Sequence, residues 1–184
     1  MKKRTIILTC IIVIGLYSTI FSQTNPFVPS DFKIPETLEN QYFRLRMLTV
    51  NDVVKDYDAV MTSIDHLQGV FGPKSKWPSK DLTLEQDLID LGWHQKEFQR
   101  RSSFTYTVVT LDESKVIGCI YIFPTTKGDF NATVEMWVRA SVLDVGLDTI
   151  LYNSAKQWIS EEWPFKKVAY PGRDISWEEW ELLK

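Results

Sequence analysis

Apolar and polar residues alternate in some stretches of the chain and recur every three to four residues in others. Strict alternation over residues 43–47 predicts a β-strand, because successive side chains of a strand point to opposite faces. Helical spacing over residues 53–67 predicts a first helix. A second helix is predicted from Thr83, which forms a capping-box pattern with Gln86, to about Arg100. Its predicted apolar stripe is Leu84, Leu88, Leu91 and Phe98.

The rest of the chain is richer in strands. Further strands are predicted over residues 104–111, 116–123, 133–138 and 167–170. The second of these is a nearly continuous apolar run, which is typical of a strand buried on both faces. Gly146 precedes a third helical stripe, and Ser176 is a capping residue for a short last helix. The resulting order, β-α-α-β-β-β-α-β-α, predicts a mixed sheet with helices packed on it.

The N-terminus has the pattern of an export signal. Three basic residues at positions 2–4 precede an uncharged stretch over residues 5–21, and the small residue Ser22 follows. This pattern is typical of a secretory signal peptide over residues 1–22. The alternative is an uncleaved membrane anchor formed by residues 5–21, since that stretch is near the lower limit for a bilayer span. Either arrangement predicts an exported domain, periplasmic, extracellular or anchored and facing outward.

Composition and charge narrow the function classes. Residues 23–40 contain three prolines and predict an extended linker, so the folded domain is expected over residues 41–184. The net charge of the whole chain is −3, and loss of the basic N-terminus would leave a mildly acidic domain without a basic cluster. Nucleic-acid binding is therefore not expected. Cys119 would be the one cysteine left, and no spacing of ligands matches a metal site.

Several short motifs occur in an order found in one superfamily of enzymes. They are Phe43-Arg44-Leu45-Arg46-Met47-Leu48-Thr49, Val116-Ile117-Gly118-Cys119-Ile120-Tyr121-Ile122, Trp137-Val138-Arg139, Gly146-Leu147-Asp148, Trp163-Pro164-Phe165 and Tyr170-Pro171-Gly172-Arg173. Together they resemble the GNAT superfamily of acetyltransferases over about residues 42–180, and in part a subgroup of short bacterial members. The resemblance implies an α/β (α+β) fold, with a mixed, mostly antiparallel central sheet flanked by helices. The usual C-terminal hairpin is expected to be missing, and a partner chain could replace it in a homodimer.

The same resemblance implies acetyl-CoA as co-substrate and an amine, small-molecule or peptide, as acceptor. The diphosphate of acetyl-CoA needs backbone N–H donors at a helix N-terminus. The corresponding residues here are Val138, Arg139, Val145, Gly146 and Leu147. Only Gly146 fits the family's loop pattern well. Asp144 and Asp148 add negative charge, and the alternative is that Asp144 simply caps the helix.

Glu135 is the candidate general base. Alternation places Thr133, Glu135 and Trp137 on one face of their strand, and burial beside Trp137 could raise the pKa of the Glu135 carboxyl. The alternative is an exposed glutamate on a solvated face. Tyr170 is the nearest phenol that could act as general acid, the role that this family often gives to a tyrosine.

Two histidines remain open in their interpretation. His94 and Glu97 could line an acceptor groove, or could form a surface pair, which the sequence favours. His66 is expected at a helix end, where a positive charge is favourable.

The sequence leaves two candidate functions: an N-acetyltransferase, and a catalytically inactive exported module with the same fold. An open notch between the strands that end at Val138 and Tyr170 would favour the enzyme, whereas a notch filled with aromatic side chains would favour the module.

Overall fold

The computed structural model describes residues 26–184, so the expected signal segment lies outside the described residues. Six strands and five α-helices follow one another along this part of the chain. Their bounds are β1 Thr37–Glu39, β2 Arg44–Met47, α1 Val53–Met61, α2 Ile64–Leu67, α3 Leu84–Arg100, β3 Phe104–Val109, β4 Val116–Pro124, β5 Ala132–Val138, α4 Leu147–Glu162, β6 Val168–Ala169 and α5 Trp177–Leu182. None of the helices in residues 26–184 has the length and apolar character needed to cross a bilayer.

The six strands form one sheet in sequential order, β1-β2-β3-β4-β5-β6. Every neighbouring pair is antiparallel except β5 and β6, which are parallel. A parallel neighbour needs a crossover connection, and α4 provides it. The predicted fold class, a mixed and mostly antiparallel sheet flanked by helices, is confirmed.

The sheet has a hydrophobic cluster on each face. One cluster joins the sheet to α4 and contains Val134, Met136, Val138, Leu151 and Trp158. The other joins it to α1, α2 and α3 and contains Leu91, Cys119, Tyr121 and Trp137. Consecutive residues of β5 therefore face opposite clusters, as the alternation predicts. Residues 116–122 of β4 are all buried, which confirms a central strand covered on both faces.

The segment expected to be a linker is instead attached to the domain over its described part. Val28 is buried against the α4 side of the sheet, and the ring of Phe27 stacks on that of Phe104 at 5.7 Å. The Tyr106 hydroxyl donates to the Pro35 carbonyl at 2.6 Å. Strand β1, which the sequence analysis did not predict, pairs with β2. The prolines do keep this segment out of helices, but its aromatic residues give it enough apolar surface to pack.

The helices differ from the predictions in two places. The first predicted helix is two helices, because the chain leaves helical geometry at Thr62 and Ser63. Helix α3 has the predicted bounds and capping box, with Gln86 donating its backbone N–H to the Thr83 hydroxyl at 3.2 Å. Its predicted stripe is wrong in part: Leu91 is buried, whereas Leu84 and Leu88 are each more than 40 % exposed.

Candidate active site

A notch opens in the sheet where β5 and β6 separate. The two strands are paired only at Ala132 with Val168 and at Thr133 with Ala169. Beyond the last bridge, at Thr133, no strand of residues 26–184 pairs with this edge of β5, and residues 135–138 line the space that opens there. An extended ligand placed there could form strand-like hydrogen bonds with the edge.

This notch holds a pocket of about 310 Å³, called the notch pocket below. Its walls are residues 135–138 of β5, residues 171–173 after β6, and the start of α4. His66, Gly69, Val70, Leu143 and Trp177 complete the lining. The notch is therefore open, and its floor is the free strand edge.

A second pocket lies on the other side of Glu135. It measures about 280 Å³ and is called the aromatic pocket. It is lined by Phe71, Trp77, Asp90, His94, Tyr121, Phe123 and Glu135. Glu135 is thus the residue that the two pockets share.

The Glu135 side chain is half-buried, and it is the one residue of β5 that is not fully buried. No hydrogen bond or ion pair within residues 26–184 involves it, and Tyr121 is its neighbour across the strand pair. Burial raises the pKa of Glu135 from its ordinary 4.5 to about 7. A carboxylate with this pKa can accept a proton near neutral pH, which is what a general base requires.

The raised pKa of Glu135 makes folding stability depend on pH. Its pKa is higher in the folded protein than in the unfolded chain, so the folded state binds more protons between pH 4.5 and about 7. The stability is therefore fully present below pH 4.5 and falls as the pH rises to about 7. Relative to the wild type, Glu135→Gln should gain stability over this window and keep the gain above it. Urea denaturation from pH 4 to pH 8 measures this difference.

The comparison needs a control, because Asp87 also has a pKa raised by burial, to about 6, and Asp56 has one raised well above its ordinary value. Both carboxyls are present in the wild type and in the variant, so the difference curve isolates Glu135. The same substitution at the exposed Glu85 is the matched control and should leave the curve parallel to that of the wild type. A Glu135→Gln curve parallel to the wild type would contradict the prediction.

The start of α4 borders the notch pocket and has free backbone donors. Gly146 is the N-cap residue with φ 71°, a left-handed conformation that glycine adopts without steric cost. The N–H groups of residues 147–149 have no partner inside the helix, as in any first turn. The Gly146 N–H itself is used, because it donates to the Leu143 carbonyl at 2.8 Å. Asp144 is exposed and does not cap the helix, so that alternative is wrong.

The predicted cofactor-binding residues do not all reach the pocket. Val138 lines it. The Arg139 guanidinium is instead paired with Asp58 at 2.8 Å, and the Arg139 N–H donates to the Ile117 carbonyl. The Leu147 side chain is buried in the core, whereas that of Val145 is 70 % exposed. Side chains therefore contribute little at this turn, and what it offers a ligand is backbone.

An ion pair forms part of the pocket wall. The Arg173 guanidinium holds both carboxylate oxygens of Asp148, at 2.7 and 3.0 Å. Both residues line the notch pocket. The Asp148 carboxylate beside the pocket is therefore paired. Within residues 26–184, Arg173 is the one arginine that lines the pocket, and it was not among the predicted site residues.

Trp177 closes one end of the notch. Its indole ring packs between two glycines, Gly72 before α3 and Gly172 after β6. A Cβ atom at Gly172 would clash with the Trp177 Nε1, and one at Gly72 would lie 3.2 Å from the ring. Both glycines have positive φ. The ring thus fits only because two backbone segments without side chains approach it.

Gly172→Ala should destabilise the protein more than Gly128→Ala. Both positions have positive φ, 76° and 57°, so both substitutions carry a backbone cost of about 1 kcal/mol. Only at Gly172 does the new methyl group also collide with Trp177, which should add about 1–3 kcal/mol of overpacking. Urea denaturation of the two variants measures the difference. Equal losses would show that the ring yields without cost.

The remaining predicted residues are placed as follows. Tyr170 is buried in the core, with its ring against that of Tyr152. It does not line the notch pocket, and burial raises the pKa of its phenol well above the ordinary value. The structure therefore does not bring it together with Glu135. His94 is buried and lines the aromatic pocket, so its assignment to a surface pair is wrong. The Glu97 carboxylate instead accepts a hydrogen bond from the Ser102 hydroxyl and forms an ion pair with Lys96.

His66 lies in the last turn of α2, as expected, and lines the notch pocket. The aromatic pocket could not be predicted from the sequence, because Phe71 and Trp77 come from an irregular loop between α2 and α3. Periodicity carries no information about such a loop. Within residues 26–184 no group of three or more His, Cys, Asp and Glu side chains is arranged to hold a metal ion.

The sheet, its notch and the helix that follows β5 define the fold of the GNAT acetyltransferases. Comparison with solved structures supports this assignment of the fold. No family model matches the chain, and no curated protein matches its sequence.

Three solved acetyltransferases illustrate the likeness. The ribosomal-protein-S5-alanine acetyltransferase from Vibrio fischeri has a TM-score of 0.54 and 20 % identity, over 68 % of this chain and 67 % of that chain. RimL, a ribosomal α-N-protein acetyltransferase solved with coenzyme A, has a TM-score of 0.54 and 16 % identity, over 67 % of each chain. MccE, the microcin C7 self-immunity acetyltransferase solved with acetyl-CoA and AMP, has a TM-score of 0.55 and 14 % identity, over 71 % of this chain and 69 % of that chain.

Proposed function

We propose that this protein is an N-acetyltransferase that uses acetyl-CoA and an amine acceptor. One observation carries the proposal: the half-buried carboxyl of Glu135, which has no partner within residues 26–184, lies between an open strand-edge notch and a second pocket. Two ligands bound in the two pockets would approach each other at this residue. The fold shared with the three solved acetyltransferases agrees with this arrangement.

The residues of the notch fit the co-substrate. The free edge of β5, at residues 135–138, suits the amide-bearing arm of coenzyme A, and the first-turn amides of α4 suit its diphosphate. Bound acetyl-CoA would supply the acetyl group as a thioester. Arg173 would add a positive charge near the phosphates if its pairing with Asp148 loosened.

Glu135 would take the proton from the acceptor amine. A proton would pass from the bound ammonium group to the Glu135 carboxylate, which frees the nitrogen lone pair. The nitrogen would then form the new C–N bond to the acetyl carbon, and the C–S bond would break with its electron pair leaving on sulfur. The second proton, which the nitrogen loses in becoming an amide, would reach the thiolate through solvent, and solvent would take the first proton from Glu135. No side chain is assigned as general acid, because Tyr170 lies in the core.

A second candidate is a catalytically inactive module that keeps this fold. Two observations favour it: the Gly146 N–H already donates to the Leu143 carbonyl, and the Arg173 guanidinium is already paired with the Asp148 carboxylate. Both reduce the donors left for a diphosphate. The module would keep both pockets and would bind a ligand without transferring a group.

Isothermal calorimetry with acetyl-CoA tests the proposal. The described domain, residues 26–184, is kept whole, since its first residues pack on the core. Binding in the micromolar range is expected, and Met136→Pro, which removes a backbone N–H from the part of β5 that lines the notch pocket, should weaken it. The matched control is Val108→Pro in β3, which lies away from the notch and reports any general damage to the sheet. No heat at millimolar acetyl-CoA would favour the inactive module.

Asp148→Asn should tighten binding of coenzyme A by about threefold, a typical effect of one exposed ion pair. The substitution removes a carboxylate from the pocket wall and leaves the Arg173 guanidinium free to attract phosphate. Calorimetric Kd values measure it. The control is Asp174→Asn, which changes the net charge equally but acts on Lys156, outside the pocket lining. Weaker binding by Asp148→Asn would mean that the pair positions Arg173 for the ligand.

We also propose that the protein is exported, from the N-terminal pattern at residues 1–22. Export would place the domain where acetyl-CoA is not expected, so the localisation bears on the choice between the two candidate functions. Mass spectrometry of the N-terminus of the native protein tests it. A chain that begins after Ser22 supports a cleaved signal, and an intact N-terminus recovered from the cytoplasmic fraction contradicts export.

A further inference from the structure

We infer that the aromatic pocket binds a small primary amine whose body is a single aromatic ring, an arylalkylammonium ion. The inference rests on the proposed function in treating this ligand as the acetyl acceptor. As a statement about binding, it depends only on the pocket itself. Its grounds are the shape of the walls, the charges at the rim, the size of the pocket and the position of Glu135.

The walls of the pocket are flat aromatic rings on several sides. The Phe71 ring meets Trp77 at 5.0 Å between centroids and Tyr121 at 5.5 Å, edge to face. Tyr121 and Phe123 are stacked at 5.9 Å with an interplanar angle of 9°. Phe71, Trp77 and Phe123 are each partly exposed, so their faces are not fully covered by the protein's own core. Such faces attract both an aromatic ring and a cation.

These walls are held from behind. The Trp137 Nε1 donates to the Tyr121 hydroxyl at 3.0 Å, and the Trp77 ring lies 5.8 Å from that of Trp137. The loop that carries Phe71 and Trp77 is tied to α2 by the Gln68 side chain, which donates to the Pro78 carbonyl at 2.7 Å. The aromatic surfaces are therefore pre-organised, which reduces the entropy lost on binding.

The charges that line the pocket are of one sign. Asp90 is exposed and Glu135 half-buried, whereas no lysine or arginine in residues 26–184 lines the pocket. The His94 Nε2 lies 3.8 Å from the Asp90 carboxylate, and its Nδ1 lies 2.9 Å from the Thr105 hydroxyl oxygen. Burial lowers the pKa of His94, against the effect of Asp90, and so disfavours its charged form. The pocket therefore favours a cation over a neutral ring or an anion.

The size of the pocket limits the ligand. A volume of about 280 Å³ is at the small end of ligand pockets, which suits one ring with a short arm rather than a peptide. With the ring between Phe71, Trp77 and Phe123, the arm can point to Glu135. Its nitrogen then lies where the two pockets meet.

Calorimetry of residues 26–184 with β-phenylethylamine at pH 8, without acetyl-CoA, tests the inference. Binding at least tenfold tighter than that of 3-phenylpropionate, which has the same ring and the opposite charge, is expected. Binding at least tenfold tighter than that of n-butylamine, which lacks the ring, is also expected. Equal affinity for amine and acid, or no binding of the amine at millimolar concentration, would overturn the inference.

Two variants locate the binding. Asp90→Asn should weaken β-phenylethylamine binding about threefold, whereas Asp81→Asn, at an exposed acid that does not line the pocket, should leave it unchanged. Equal effects of the two variants would show a general charge effect and would overturn the assignment to this pocket. Acetyl-CoA is titrated separately: if the amine binds and acetyl-CoA does not, the inference holds and the proposed function fails.

Discussion

Glu135→Gln should lower kcat for acetyl transfer to β-phenylethylamine by about 10²- to 10⁴-fold, the usual contribution of a general base. The glutamine has nearly the shape of the glutamate and can occupy the same position between the two pockets, but it cannot accept a proton. Substrate binding should change far less than turnover, apart from a modest loss of affinity for the cationic amine. Release of coenzyme A thiol measures the rate.

The pH profile separates this role from a structural one. Since Glu135 must be deprotonated to act and its pKa is about 7, wild-type turnover should fall as the pH decreases through 7. That inflection should be absent from the residual activity of Glu135→Gln. Glu85→Gln, at an exposed position on α3, should keep both the rate and the inflection. Full activity in Glu135→Gln would remove the carboxyl from the mechanism.

Trp163→Ala should cost about 3–5 kcal/mol of folding stability, the range for deleting a large buried aromatic side chain. Trp163 is 6 % exposed and is surrounded by rings, with centroids at 4.9 Å to Phe104, 5.6 Å to Trp158 and 5.5 Å to Phe165. Within residues 26–184 its Nε1 has no hydrogen-bond partner, so the substitution breaks no hydrogen bond there and the loss comes from packing. Because the free energy of unfolding of a domain is only about 5–15 kcal/mol, the variant should retain little stability.

The control for this substitution is Trp93→Ala, the same change at a side chain that is 45 % exposed. It should cost well under half as much. Urea denaturation measures both, and an unchanged slope of the free energy against urea would show that stability, not the unfolded state, has changed. Equal losses at the two positions would mean that the core has closed around the cavity.

The order of elements and the two faces of β5 could be predicted because periodicity records which side of an element is buried. The alternation around Glu135 separated Trp137 from Val134 and Met136 correctly, and the capping boxes fixed the start of α3. The first helix was predicted too long, since apolar spacing continues across the break at Thr62 and Ser63.

The site was only partly predictable, because it is built from tertiary contacts. Nothing local to Arg173 indicates that it meets Asp148, which lies 25 residues earlier. His94 was assigned to a surface pair because it lies three residues from Glu97 on α3, but its burial comes from Tyr121 and Phe123 of β4. The attachment of residues 26–40 was missed since prolines indicate an extended chain without indicating what it packs against.

A single carboxyl facing both pockets also has a thermodynamic consequence. A cation bound in one pocket would favour the ionised form of Glu135. The ionised carboxylate would in turn disfavour an anion in the other pocket. Occupancy of either pocket must therefore alter affinity for the other by the same factor, and both affinities must vary with pH around 7. The two affinities would then be coupled through the charge of Glu135 without any movement of the backbone.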